Sequence, residues 1–409
     1  MQLNRESPPE QSRFAFILHT PTLFIHYASV WAAMTPGSFT VVLYGQCEER
    51  RTDATRTAYE RICARGYHVM DFSEVVRRRI RFPYVVSNHF IAGPSPDPAP
   101  LAGRLLRRLK NATKRVVNPL LARTGSGKRY FLQPIDAYQH PPKQLGDRQV
   151  RFMYGADISD GWSLGEWNRI YDAFLCHGPN DAEAIASRFD ADVAIMGYPR
   201  YDGYFSDDLP WREVFTEFDL DPAKRTILWM PTADPFGDDV CSIPFFAAHI
   251  ATLMQDYNVI VRPHPMSFRQ EPEFIALLEE HGYRIDRDAS RDVTCLFRAA
   301  DYVLCDHGGS AFGALYLDKR LVFLKTPVKA GAKVAEGASN EALMNHFPAV
   351  DHQDFSPMRS LLGDDARWER RIAEARPLRD RFFADYRGNA SEVAARLLET
   401  LDQRLERRR

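Results

Sequence analysis

Short apolar runs recur along the chain, and stretches with helical spacing of apolar positions separate them. The first series is 14–19 (FAFILH), 39–44 (FTVVLY), 66–72 (GYHVMDF), 84–91 (YVVSNHFI), 150–153, 173–177 (AFLCH) and 193–196. A second series follows at 227–234 (ILWMPTAD), 259–265 (VIVRPHP), 302–305 (YVLC) and 321–324. Continuous runs of this length, rich in Val, Ile and Leu, predict strands buried on both faces. The intervening stretches at 24–34, 52–65, 180–189, 246–257, 271–281, 296–300 and 311–317 predict helices. Strand alternating with helix is the pattern of an α/β fold with parallel sheets. The polar, proline-containing SDDLPW at 206–211 reads as a linker. The expected units are therefore 1–205, 206–385 and a helical tail over 386–409 that packs back on the rest.

Each apolar run of the second series stops at polar or ionisable residues. The first ends in Thr232 and Asp234, the next in Arg262 and His264, and the third in Asp306, His307, Gly308, Gly309 and Ser310. In open α/β sheets ligands bind at the carboxyl ends of the strands. Glycines let the backbone approach a ligand, and a following helix start suits an anion. An ordinary glycine turn capped by Ser310, and a surface salt bridge at Arg262, are the plainer readings of the same residues. In the first series, Tyr154-Gly155-Ala156-Asp157-Ile158-Ser159-Asp160-Gly161-Trp162 carries two carboxylates, Asp157 and Asp160, in one loop. His177-Gly178 reads as an edge residue of the same site, and Tyr198-Pro199-Arg200 as a shaping element.

Composition narrows the class. A chain of 409 residues with formal net charge −1 is too long for one ordinary core and is not a general nucleic-acid binder. Six scattered cysteines without CxxC spacing predict reduced, mostly buried thiols in a cytoplasmic protein. MQLNRESPPEQSR lacks the apolar centre of a signal peptide, and no apolar run has the length of a membrane span. No Asp-x-Asp stands at a strand end of the second series, so neither metal nor cofactor is expected.

One segment departs from the rest. An insertion at 98–135 has no acidic residue and nine basic ones, with Leu101, Leu105, Leu106, Leu109 and Val116 interleaved at roughly helical spacing. Either 101–129 adsorbs to an anionic membrane or anionic polymer, or it is a solvated basic face. Gly125-Ser126-Gly127-Lys128 lacks the upstream glycine of a phosphate-binding P-loop.

MGYPRYDGYF, ILWMPTAD, RPHP and ADYVLCDHGGSAFGALYLDKRLVFL occur here in the order seen in CDP-glycerol:poly(glycerophosphate) glycerophosphotransferases. The chain resembles that family over about 195–330 and more loosely before it. The resemblance implies a GT-B-like fold of two Rossmann-like domains with parallel sheets facing a central cleft. It implies a cytidine-nucleotide donor, CDP- or CMP-activated, and a surface glycan or lipid-linked acceptor, with no nucleic acid involved. The location it implies is cytoplasmic, with room for peripheral contact at the inner face of the plasma membrane. His264 would contact the donor phosphates, Ser310 would bind phosphate at the helix start, and Pro231-Thr232 matches the family's Pro-Thr.

The family's Trp-His-Gly-Thr, with its general-base histidine, is replaced here by Met153-Tyr154-Gly155-Ala156. Asp157 or Asp160 is the expected base in its place. Two alternatives stand beside this reading. One is a CMP-sugar glycosyltransferase, either sialyltransferase-like or a retaining transferase of 3-deoxy-manno-octulosonic acid (Kdo) with Asp234 as nucleophile. The other is a non-catalytic nucleotide-binding scaffold.

Overall fold

The computed structural model describes residues 8–91, 105–106, 108–110, 112–114, 116–117, 140–156, 163–288, 291–329 and 339–407. The chain divides into two compact units, one of Met1–Tyr154, Leu164–Met196 and Glu392–Arg409, the other of Gly155–Ser163 and Gly197–Ser391.

In the first unit the apolar runs form β1 (Phe14–Leu18), β2 (Phe39–Leu43), β3 (Val69–Asp71), β4 (Tyr84–Ser87), β5 (Arg148–Phe152), β6 (Ala173–Cys176) and β7 (Asp192–Ile195). They pair in parallel in the order β3-β2-β1-β4-β5-β6-β7. The order reverses between β1 and β4. Every residue of β1 and β2 is buried, as continuous apolar strands covered on both faces require. Phe16 packs edge-on against Tyr27, Trp31 and Phe39, which joins helix Phe24–Ala33 to the sheet.

The second unit repeats the plan with β8 (Thr226–Met230), β9 (Asn258–Val261), β10 (Arg284–Ile285), β11 (Tyr302–Cys305), β12 (Arg320–Lys325) and β13 (Ala349–Asp351). Its order is β10-β9-β8-β11-β12-β13, again parallel, with the reversal between β8 and β11. Two-residue β10 and three-residue β13 are edge strands too short to leave a hydrophobic run in the sequence. Four of the six free cysteines are buried.

The boundary falls at Met196–Gly197, ahead of the 205–206 division expected from sequence. MGYPRYDGYF carries the reason. Tyr198 stacks on Phe383 at 5.1 Å, and Tyr201 lies edge-on to Phe297 at 5.6 Å, so the segment belongs to the second core. The tail also divides later than 386. Helix Asp365–Phe382 stays with the second unit, while the chain from Glu392 packs on the first. There Asp402 meets Arg13 and Tyr84, Glu399 accepts from the Thr35 amide at 2.9 Å, and Arg404 pairs with Asp192.

Candidate functional site

In the second unit, the loops that follow β8, β9 and β11 are bonded to one another at the point where strand order reverses. The centre is Asp306, fully buried at the end of β11. Its Oδ1 accepts from the Thr232 amide at 2.9 Å and from the His307 amide at 2.6 Å. Its Oδ2 accepts from the Ser242 amide at 2.7 Å. Burial pushes this carboxyl up, and the amide donors act against that shift. With its oxygens occupied by backbone donors, Asp306 positions the β8 and β11 loops.

The β9 loop joins through the His264 amide, which donates to the Pro231 carbonyl at 3.2 Å. His264 Nδ1 accepts from the Met266 amide at 3.2 Å. That bond fixes the neutral ring with its proton on Nε2, a donor suited to a phosphate oxygen. The residue is exposed by surface area, yet the strand-end loops crowd the ring. Lost hydration, and then the Arg262 charge, lower its pKa.

Gly308 takes φ +90, a conformation that favours glycine, and a Cβ there would meet Thr232 Oγ1 at 3.5 Å. Gly309 is exposed and Ser310 half-buried, at the start of helix Ser310–Tyr316. His307 Nδ1 is buried without a hydrogen-bond partner among the described residues. Thr232, His264, His307, Gly308, Gly309 and Ser310 thus stand on three linked loops.

Arg262 and Asp234 are held differently from the sequence expectation. The Arg262 guanidinium, 8 % exposed, pairs with Asp286 and donates to the Asp288 carbonyl at 3.1 Å. Asp286 also receives Arg291 Nε at 3.0 Å. Arg262 is therefore committed inside the protein, away from the surface-salt-bridge alternative as well. Asp234 is buried, and its two carboxylate oxygens accept the amides of Asp238 and Asp239, each at 2.7 Å. It organises its own loop, and its amide in turn donates to Glu271. A nucleophile needs a free oxygen aimed at substrate, and here both oxygens carry backbone donors.

Sequence reasoning gave Ser242 and Glu271 no part in this arrangement. Each stands just ahead of a helix, and nothing in the residue pattern marks either as part of the site.

In the first unit, the corresponding reversal between β1 and β4 carries His19 and His89, whose Nε2 atoms lie 3.1 Å apart. One ring donates and the other accepts. Tyr154, at the position expected for a histidine, packs against His26 at 5.4 Å and His89 at 6.0 Å. Burial lowers His19 to about 4 and His89 to about 3. Arg151 lies over Trp167 at 4.5 Å and donates to the Asn88 carbonyl at 3.2 Å. His177, expected at an edge, is 1 % exposed and its Nδ1 bonds Asp181 Oδ2 at 3.0 Å. Asp157 and Asp160 lie outside the described residues. Among the described residues no cluster of His, Cys, Asp and Glu could hold a metal ion.

The model of the CDP-Glycerol:Poly(glycerophosphate) glycerophosphotransferase family matches residues 146–400, a longer span than the motifs alone suggested. Among curated protein sequences none matches. Among solved structures, the wall teichoic acid polymerase TagF is similar at 14% identity and TM-score 0.62, over 97% of this chain and 90% of that one. TagF soaked with CDPG gives 13% identity and TM-score 0.61, over 97% and 90%. Staphylococcus aureus MnaA with UDP is similar at 15% identity and TM-score 0.50, over 95% and 96%. Anabaena HepE with UDP and glucose gives 11% and 0.50, over 95% and 99%. These likenesses show the fold, an α/β fold of the GT-B class. The family match spans well over half of the 409 residues, and the chain belongs to the CDP-Glycerol:Poly(glycerophosphate) glycerophosphotransferase family of transferases.

Proposed function

We propose that the chain transfers glycerol phosphate from CDP-glycerol to a hydroxyl of a growing surface polymer of the teichoic-acid kind. The observation that supports this is the bonding of three strand-end loops through Asp306 and Pro231, the loops that carry the proposed phosphate donors. His264 would offer Nε2–H, Ser310 its hydroxyl, and Gly308 and Gly309 a close approach of the phosphate to the main chain. Thr232 lines the same turn.

In this reaction the acceptor oxygen attacks the phosphorus that bears glycerol. The bond to the bridging oxygen breaks, CMP leaves, and the acceptor proton passes to a base. Asp157 and Asp160 remain the proposed bases. Hydrogen bonds to developing negative charge on the phosphates are the main means of lowering the barrier.

Membership of a transferase family sets aside the non-catalytic scaffold. The engagement of Asp234 favours direct displacement over a covalent Asp234 intermediate, and so glycerol phosphate over Kdo.

Membrane contact through the basic insertion is part of the proposal. Leu105, Leu106, Leu109 and Val116 are 50–66 % exposed, beside Arg108, Lys110 and Lys114. No helix of the described residues is long and apolar enough to cross a membrane. Adsorption from one side would place the active site near a lipid-linked acceptor.

Release of CMP from CDP-glycerol, in the presence of a short glycerophosphate oligomer, tests the function. CMP release coupled to oligomer extension is expected. No release with CDP-glycerol, but release from a CMP-sugar, would replace this reading with the glycosyltransferase one.

A further inference from the structure

A phosphate site needs positive charge, and the arginine expected to supply it is bound internally to Asp286. A second arginine of the same unit is not. Arg200 lies in the short turn Pro199–Phe205, half-buried, with no ion pair or hydrogen bond among the described residues. Its Nε is buried without a partner. The guanidinium sits 5.5 Å from the Tyr201 ring centroid.

Tyr201 fixes where that places Arg200. A Cβ on Gly313 would fall inside the contact distance of the Tyr201 hydroxyl, so Tyr201 is seated directly against the helix that Ser310 begins. The other neighbours of the segment point the same way. Arg200 and Arg262 lie close enough for their charges to repel, and Tyr201 feels both Arg262 and Cys305. Arg262 and Cys305 lie at the carboxyl ends of β9 and β11, next to His264 and the Gly308-Gly309-Ser310 loop.

We propose that Arg200 is a phosphate-binding residue of the donor site, acting on a nucleoside diphosphate together with the glycine loop. The inference rests on the cytidine-nucleotide reading of this site. A guanidinium Nε buried without an acceptor is costly, and a doubly charged diphosphate supplies acceptor oxygens for it and for the terminal amino groups. Arg200 also suits the role because its neighbour Tyr201 is anchored, which restricts the backbone that carries it.

The test is titration of wild type, Arg200→Gln and Arg200→Lys with cytidine, CMP, CDP-glycerol and inorganic pyrophosphate, with thermal midpoints to confirm folding. Arg200→Gln is expected to bind CDP-glycerol about 10–100-fold more weakly, to leave cytidine binding within twofold, and to flatten the salt dependence of affinity. Arg200→Lys should recover part of the loss. Unchanged CDP-glycerol affinity in folded Arg200→Gln would overturn the assignment, as would an equal loss for cytidine, which marks a structural role. If wild type bound pyrophosphate but no cytidine compound, the cytidine reading would fail while loss of pyrophosphate binding in Arg200→Gln upheld the anion site. If wild type bound none of the four, both would fall.

Discussion

The Thr232 amide donates to Asp306 Oδ1 at 2.9 Å, across two strands that are neighbours in the sheet but seventy-four residues apart in the chain. That bond makes one surface of two loops. Asp306 also takes the Ser242 and His307 amides, so its role is to hold the site's shape. Asp306→Asn would turn an amide N–H toward backbone donors. A loss of about 2–3 kcal/mol of stability is expected, with weaker CMP binding. Urea unfolding with CMP titration checks it; a stable variant with normal binding would contradict the clamp.

His264→Ala and Ser310→Ala would remove the proposed ligand contacts and leave the clamp. Each should weaken CMP and CDP-glycerol binding by roughly 1.5–3 kcal/mol while the thermal midpoint without ligand stays close to wild type. Calorimetric titration reads the affinity. Normal affinity in both folded variants would remove them from the donor site.

Asp234→Ala should act on its loop. Loss of the acceptors for the Asp238 and Asp239 amides is expected to cost about 1–2 kcal/mol of stability. Residual transfer should remain, and no adduct on Asp234 should appear in intact-mass spectra with any CMP-sugar. A trapped adduct would instead support double displacement.

Acid should destabilise the first unit. Burial lowers His19 to about 4, and His89 and His140 each to about 3, against an unfolded value of 6.5. Between pH 6.5 and 4 the unfolded chain therefore binds more protons than the folded one. These residues' contribution is complete above pH 6.5 and declines as pH falls toward 4. Arg151, Lys143 and the neighbouring histidines face this group and deepen the shift. The thermal midpoint should drop from pH 7 to 4.5, and His89→Phe should reduce that slope. An identical slope in the variant would contradict the assignment.

Adsorption to membranes is also open to measurement. Co-sedimentation with phosphatidylglycerol vesicles should be strong at low salt and fall as ionic strength rises. Arg107→Glu combined with Arg108→Glu should weaken it severalfold. Binding indifferent to both salt and charge reversal would return 101–129 to a solvated face.

The parallel sheets were legible because strands buried on both faces leave continuous apolar runs, and the loops after β8, β9 and β11 were legible because each run stops abruptly at polar residues. What escaped the sequence has a common cause. Whether Arg262 faces a ligand or Asp286 depends on a partner twenty-four residues away, and Asp234 looks like a nucleophile until the amides of its own loop are placed on it. The unpaired state of Arg200 is likewise a property of its surroundings. The unit boundary moved because Tyr198 and Tyr201 choose their core by packing. His19 and His89 sit at the ends of runs that were read as strands, but only the β1–β4 pairing brings them together.

On the proposed reading the second unit binds a cytidine diphosphate donor and the chain passes its glycerol phosphate to a hydroxyl. The most direct measurement is a single-turnover reaction with CDP-glycerol labelled in the glycerol phosphate and a glycerophosphate oligomer as acceptor. The expected result is label in the extended oligomer and unlabelled CMP in equal amount, with both formed more slowly in His264→Ala. Label that remains in CDP-glycerol when the folded wild-type protein is in excess would contradict it.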